Sequence, residues 1–247
     1  MKNKFILIIK IFFIFYFIFT KSLANEFIFE TKEIEILEDG NIIKAIDGVA
    51  ISTENNFSIT GKEFKFNKKN SSLIALIGLA EFPDQNIEVK ANKFDYYENK
   101  FLLRAYGDVE IKNLLNNVVI KSQNITYNIK KKTIISKGKA TVRDDVGNFF
   151  SSKNILYKVK DKIIKIEDAK LTDSKNNKYK IVKAFIDLKL NKLIGKDISI
   201  DFENSEFNKK NEPRLKGNSI EYNKKETVIT KGVFTTCKKN NTCPPWQ

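Results

Sequence analysis

A unit of about 30 residues recurs along this chain, and it restricts the fold to something built by stacking copies of one small element. One copy runs Ala91-Asn92-Lys93-Phe94-Asp95-Tyr96-Tyr97, turns through Glu98-Asn99-Lys100, and continues Phe101-Leu102-Leu103-Arg104-Ala105-Tyr106-Gly107-Asp108-Val109-Glu110-Ile111. Further copies begin at Ser122 and Asn218. Each reads apolar-x-Tyr/Phe, a polar turn, an apolar strand, a Gly or Asp, then a second apolar alternation. The Gly-type position falls at Gly48, Gly78, Gly107, Gly138, Asp168, Asp197 and Gly232, at spacings of 30, 29, 31, 30, 29 and 35 residues. These units leave no room for a second domain.

Within a unit the apolar period is two. Ile34 and Ile36, Phe64 and Phe66, Phe94 and Tyr96, Ile125 and Tyr127, Ile155 and Tyr157, Ile186 and Leu188, and Ile220 and Tyr222 all alternate with other residues. Alternation puts one apolar row on one face of a strand. β-branched and aromatic residues abound, and no segment keeps helical spacing over three turns. The expectation is an all-β, antiparallel, elongated fold of about seven stacked two-strand repeats, about 14 strands of six to ten residues. Asn99-Lys100, Lys131-Lys132 and Lys224-Lys225 sit where a hairpin must turn. A lone two-stranded unit cannot cover its own apolar face, so its neighbours must. For any single aromatic, core packing is the plain reading. As a set, the fourteen alternating residues are candidates to line either a closed sandwich or an open apolar channel, and periodicity does not choose between them.

The N-terminus reads as a removable leader. Lys2, Lys4 and Lys10 precede or interrupt apolar runs at Phe5–Ile9 and Ile11–Phe19, and Ser22-Leu23-Ala24 supplies a small-x-small site. That is the pattern of a secretory signal peptide over residues 1–24, cut after Ala24. The apolar stretch is short for a spanning helix. Cleavage leaves 223 residues and lowers the net charge from +14 to +10, because the leader carries four lysines and no acid.

Composition closes several routes to chemistry. The chain has no His and two Cys. It therefore lacks an imidazole base, a Ser–His or Cys–His dyad, and a four-thiolate zinc site. The acidic neighbours Asp144-Asp145 and Glu167-Asp168 are adjacent in sequence, and adjacent strand residues point to opposite faces. They form no acid/base pair, and the chain is not expected to be an enzyme or to carry a cofactor or metal. The basic surplus is mostly Lys, spread along the chain, with Arg only at 104, 143 and 214. Nucleic-acid readers use clustered charge and Arg forks, so no nucleic-acid partner is expected.

The chain closes Gly232-Val233-Phe234-Thr235-Thr236-Cys237-Lys238-Lys239-Asn240-Asn241-Thr242-Cys243-Pro244-Pro245-Trp246-Gln247. Together with the 30-residue strand repeat, this close resembles the N-terminal periplasmic domain of the LptD (OstA/Imp) family of outer-membrane lipopolysaccharide-assembly proteins. The repeat resembles the OstA-type β-jellyroll shared with LptA and LptC. The Cys…Trp close is the feature more particular to LptD. The departure is large, since that family continues into a β-barrel and this sequence stops at Gln247, as if truncated before it.

The resemblance implies a signal peptide over 1–24, an OstA-like jellyroll over 25–236, and a Cys/Pro/Trp linker over 237–247 toward an absent barrel. It implies a periplasmic, outer-membrane-associated chain of the Gram-negative envelope, with an incompletely closed jellyroll that guides lipopolysaccharide acyl chains along an apolar groove. A soluble LptA-like bridge protein is the alternative. The implied partners are lipopolysaccharide, an LptA-like jellyroll at the N-terminal edge near 27–37, and an outer-membrane barrel with its plug lipoprotein. In an exported chain thiols oxidise, and five intervening residues allow a local Cys237–Cys243 disulfide. In the family the cysteine matching Cys237 can instead bond a barrel cysteine; with no barrel in this sequence Cys237–Cys243 is the expected pair, and free or intermolecular thiols are the alternative.

Overall fold

The computed structural model describes residues 27–143, 149–173, 175–203, 211–223 and 225–237. The expected leader over 1–24 lies outside the described residues, as do Asp144, Asp145, Lys224, Cys243 and Trp246.

The described residues form fifteen strands: β1 Phe27–Leu37, β2 Ile42–Ser52, β3 Phe57–Asn67, β4 Ser72–Phe82, β5 Ile87–Tyr97, β6 Leu102–Asn113, β7 Val118–Asn128, β8 Thr133–Arg143, β9 Phe149–Lys158, β10 Ile163–Thr172, β11 Lys178–Asp187, β12 Lys192–Asp201, β13 Arg214–Tyr222, β14 Thr227–Thr230 and β15 Val233–Thr235. They make one antiparallel sheet in chain order from β1 to β14, and β15 also pairs with β13. The all-β, antiparallel class is as expected. At about 4.8 Å per strand the sheet extends about 60 Å from β1 to β14.

The strands are longer than the sequence pattern suggested. β1 to β12 each run 10 to 12 residues, because the Gly-type position, although Gly232 separates β14 from β15, does not end a strand there. It bends one. Gly107, Gly138, Asp168 and Asp197 have positive φ, and Asp47, Ile77 and Lys231 take it immediately before Gly48, Gly78 and Gly232. Between β5 and β9 the register also shifts near these points. A bulge adds local bend and twist. Repeated at mid-strand, it gives every strand two arms, and the sheet folds along the line of corners into two facing walls.

Glycine meets a steric demand at that corner. Gly48 pairs with Gly61, which pairs with Gly78, so three glycines cross β2, β3 and β4 side by side. A Cβ on Gly78 would lie 2.1 Å from the Thr60 carbonyl oxygen. The strands approach there more closely than any side chain permits.

The turns stack as well. Lys68 N donates to Asn41 O at 2.9 Å, Glu98 N to Ser71 O at 3.0 Å, Ile129 N to Phe101 O at 2.9 Å, Val159 N to Lys132 O at 2.9 Å and Leu188 N to Lys162 O at 2.9 Å. The hairpins at Asn99-Lys100 and Lys131-Lys132 fall where the sequence places them. Their left-handed positions are taken by Phe101 and Lys132, residues for which that backbone is uncommon. The turn-to-turn bonds hold it.

Replacing Gly78 with Ala should lower unfolding free energy by about 1–3 kcal/mol, the usual range for overpacking. Urea denaturation should show a lower midpoint at unchanged slope; an unchanged midpoint would mean the corner has slack.

Candidate functional site: an apolar interior between two walls

Cross-strand partners share a face of the sheet, so register can be followed from strand to strand. One row runs Ile36, Ile43, Phe66, Leu73, Tyr96, Leu103, Tyr127, Ile134, Tyr157, Ile164, Ile186, Leu193, Tyr222. It is apolar or aromatic at every strand from β1 to β13. The row beside it alternates large and small. Ile34, Phe64, Phe94 and Ile125 stand on odd strands, with Ala45, Ala75 and Ala105 between them. Past the shifted register at β7–β8, it resumes through Ser136, Ile155, Ile166, Ala184, Gly195 and Ile220. All the alternating residues singled out in the sequence lie in these two rows except Leu188, which sits at the turn after β11.

Most are sealed inside. Phe64, Phe66, Phe94, Tyr96, Ile125, Tyr127, Ile155, Tyr157 and Ile220 are all 3% exposed or less. Ile186 and Leu188 are half-buried and pack against the same core. Ile34, Ile36 and Tyr222 are less covered, with 55%, 63% and 44% exposure. The cause is position. They are on the inner face but toward the two ends of the sheet, where no further strand among the described residues lies over them.

The opposing wall was not singled out in the sequence. Its row starts Phe29, Ala50, Ile59, Ala80, Val89, Ile111 and continues through Leu171, Tyr179, Ile200 and Leu215 to Phe234. The second alternation after each Gly-type position was its signal. Its side chains are smaller and less aromatic, so it stood out less.

The two walls touch. Phe27, on the first arm of β1, meets Phe66 and Tyr96 on the other wall at ring-centroid distances of 5.5 and 5.7 Å. Phe57 meets Tyr96 at 4.9 Å, and Phe82 meets Tyr127 at 4.8 Å edge to face. The interior is a packed core. At these strands aromatic rings fill the space between the walls.

Hydrogen bonds fasten the seam where the arm ends meet. Asn55 Nδ2, in the turn after β2, donates to Tyr96 Oη at 3.1 Å. Asn113 Nδ2, at the end of β6, donates to Tyr157 Oη at 2.7 Å. Asn113 is itself held, since its side-chain oxygen accepts from Leu115 N and Asn116 N. Tyr127 lies between these tyrosines in the same row, but Phe82 faces it. Its hydroxyl is buried with no hydrogen-bond partner among the described residues. Burial pushes the Tyr127 phenol far above its usual pKa range, with the neighbouring Tyr157 adding to the shift. Burial also raises Tyr157, and the Asn113 hydrogen bond partly opposes this.

The remaining polar candidates stay apart from the interior. Asp168 pairs with exposed Lys153 at 3.1 Å, and Glu167 accepts from Asn154 Nδ2. These contacts face solvent and contribute little to stability. Arg214 Nη1 donates to the Cys237 carbonyl at 2.7 Å. No thiol is free among the described residues. Cys243 lies outside them.

The seam makes a stability prediction. Tyr157→Phe strands the buried Asn113 amide and should cost about 1–3 kcal/mol. Tyr127→Phe removes a hydroxyl that has no partner and should be neutral or stabilising. Denaturant titration of both variants checks the contrast; equal losses would show that the Asn113 contact does not fasten the seam.

No protein-family profile and no curated protein matches the sequence. Among solved structures the chain is similar to LptH, the LptA homologous periplasmic component of the conserved lipopolysaccharide transport device from Pseudomonas aeruginosa, at 16% identity over 44% of this chain and 81% of that one, with a TM-score of 0.39.

Proposed function

We propose that this chain is a periplasmic, lipopolysaccharide-conducting jellyroll that guides acyl chains between its two walls. The supporting observation is the unbroken apolar row from Ile36 on β1 to Tyr222 on β13, uncovered at both ends. Each methylene removed from water gains about 0.8 kcal/mol. A continuous dry path therefore suits a long hydrocarbon chain, whereas isolated pockets would strand it between steps. Because the walls are in contact, passage requires them to part along the seam, and the chain's own methylenes would then replace the lost wall-to-wall contacts. Sugars and phosphates would stay outside, where lysines meet them. No bond is made or broken in such transit.

The expected role is that of an LptD-type N-terminal domain, with a signal peptide cut after Ala24 and an outer-membrane barrel and plug lipoprotein as further partners. A soluble LptA-like bridge is the second reading. It is favoured by the two uncovered sheet ends, which suit a piece joined on both sides. The Cys237–Cys243 disulfide belongs to the same proposal, and non-reducing peptide mapping tests it.

Photo-crosslinking from a probe at Phe94 should capture lipopolysaccharide, and the absence of adducts at every inward position would remove the conduit. At the N-terminal end β1 is an edge strand, open to pairing with another chain. Ile34→Pro should abolish association with an LptA-like jellyroll; association at wild-type strength would move the junction elsewhere.

A further inference from the structure

Within the row of inner tyrosines the hydroxyls are not equivalent. Tyr96 and Tyr157 each receive a hydrogen bond from an asparagine on the opposing arm ends. Tyr127, between them, does not. The difference lies in what faces it. Phe82 ends β4 as Asn113 ends β6, and the two are linked through Ile87, which pairs with both. At that level of the seam the chain has a benzyl group where its neighbour has an amide. The Tyr127 ring is fully buried, and its hydroxyl has no partner among the described residues. A lone O–H in a dry interior is unfavourable as it stands, and it can be satisfied by an acceptor that arrives with a ligand.

We infer that Tyr127 is a polar anchor for an acylated amphiphile, donating its hydroxyl proton to the carbonyl oxygen that joins an alkyl chain to its head group. The inference rests on the reading of the interior as a hydrocarbon path. Depth supports the choice of a carbonyl. Tyr127 is level with the buried Asn113–Tyr157 fastening, and Leu114 and Leu115, which follow Asn113 in the turn after β6, are exposed. A molecule with its chain between the walls and its head outside places its chain–head junction there. Phe82 is suited to yield, because its contact with Tyr127 is ring against ring and no hydrogen bond must break for the pair to separate. At the two neighbouring tyrosines such a bond must break. The anchor thus coincides with the stretch of seam between the two fastenings.

The test uses the full chain without its leader and two amphiphiles with the same glucose head and twelve-carbon chain, joined through an ester carbonyl in one and an ether in the other. Both are titrated below their micelle concentrations. Wild type should bind the ester about fivefold more tightly, as one added hydrogen bond gives. Tyr127→Phe should bind the two alike, at the affinity of wild type for the ether. It keeps the ring, and a circular-dichroism melt at or above the wild-type midpoint verifies folding. Equal binding by wild type, or a preference retained in Tyr127→Phe, overturns the anchor while ether binding still supports the hydrocarbon path. Failure of wild type to bind either amphiphile overturns both.

Discussion

The structure depends on the burial of two apolar faces of one sheet against each other. No strand here could be stable alone, and no hairpin has a second layer of its own. Bending at mid-strand supplies that layer by turning each strand's two arms toward a common interior. The glycines at the corner, the positive φ values and the shifted registers all serve this one demand. From β1 to β7, in the row of Ile34 and Phe64, large side chains on odd strands sit beside alanines on even ones, so that row meshes without crowding.

Much of this was legible in the sequence. Strict alternation in Phe64-Lys65-Phe66 or Phe94-Asp95-Tyr96 gave the strands and their inner face. The spacing of Gly48, Gly78 and Gly107 gave the repeat. What the pattern concealed was the meaning of the glycine. It looks like a terminator, and here it bends a strand that continues, so the pattern suggests strands shorter than those the chain forms. The second wall was concealed for a related reason. Ala50, Ile59 and Val89 alternate as faithfully as the aromatics, but they are ordinary core residues in any β protein.

Contact between the walls was not legible, because it is a property of pairs far apart in the chain. Asn55 and Tyr96 are separated by 41 residues, and Asn113 and Tyr157 by 44. Nothing local in either segment announces its partner. Whether the walls touch depends on the angle at the corner, which several bulges set jointly. The exposure of Ile34, Ile36 and Tyr222 escaped the pattern in the same way. Their alternation is indistinguishable from that of Phe64 or Phe94, and only their place at the ends of the order distinguishes them.

Those same separations exceed the length of one repeat. A hairpin pair of about 30 residues can form its own ladder, but the group that latches its tyrosine lies two copies earlier: Asn113 belongs to the copy that begins at Ala91, and Tyr157 to the copy after the one that begins at Ser122. Cooperative units in this molecule therefore overlap across successive repeats. A copy excised by itself would keep its hydrogen-bonded strands and lose its latch, whereas three in tandem are the shortest run of whole copies with both halves of one.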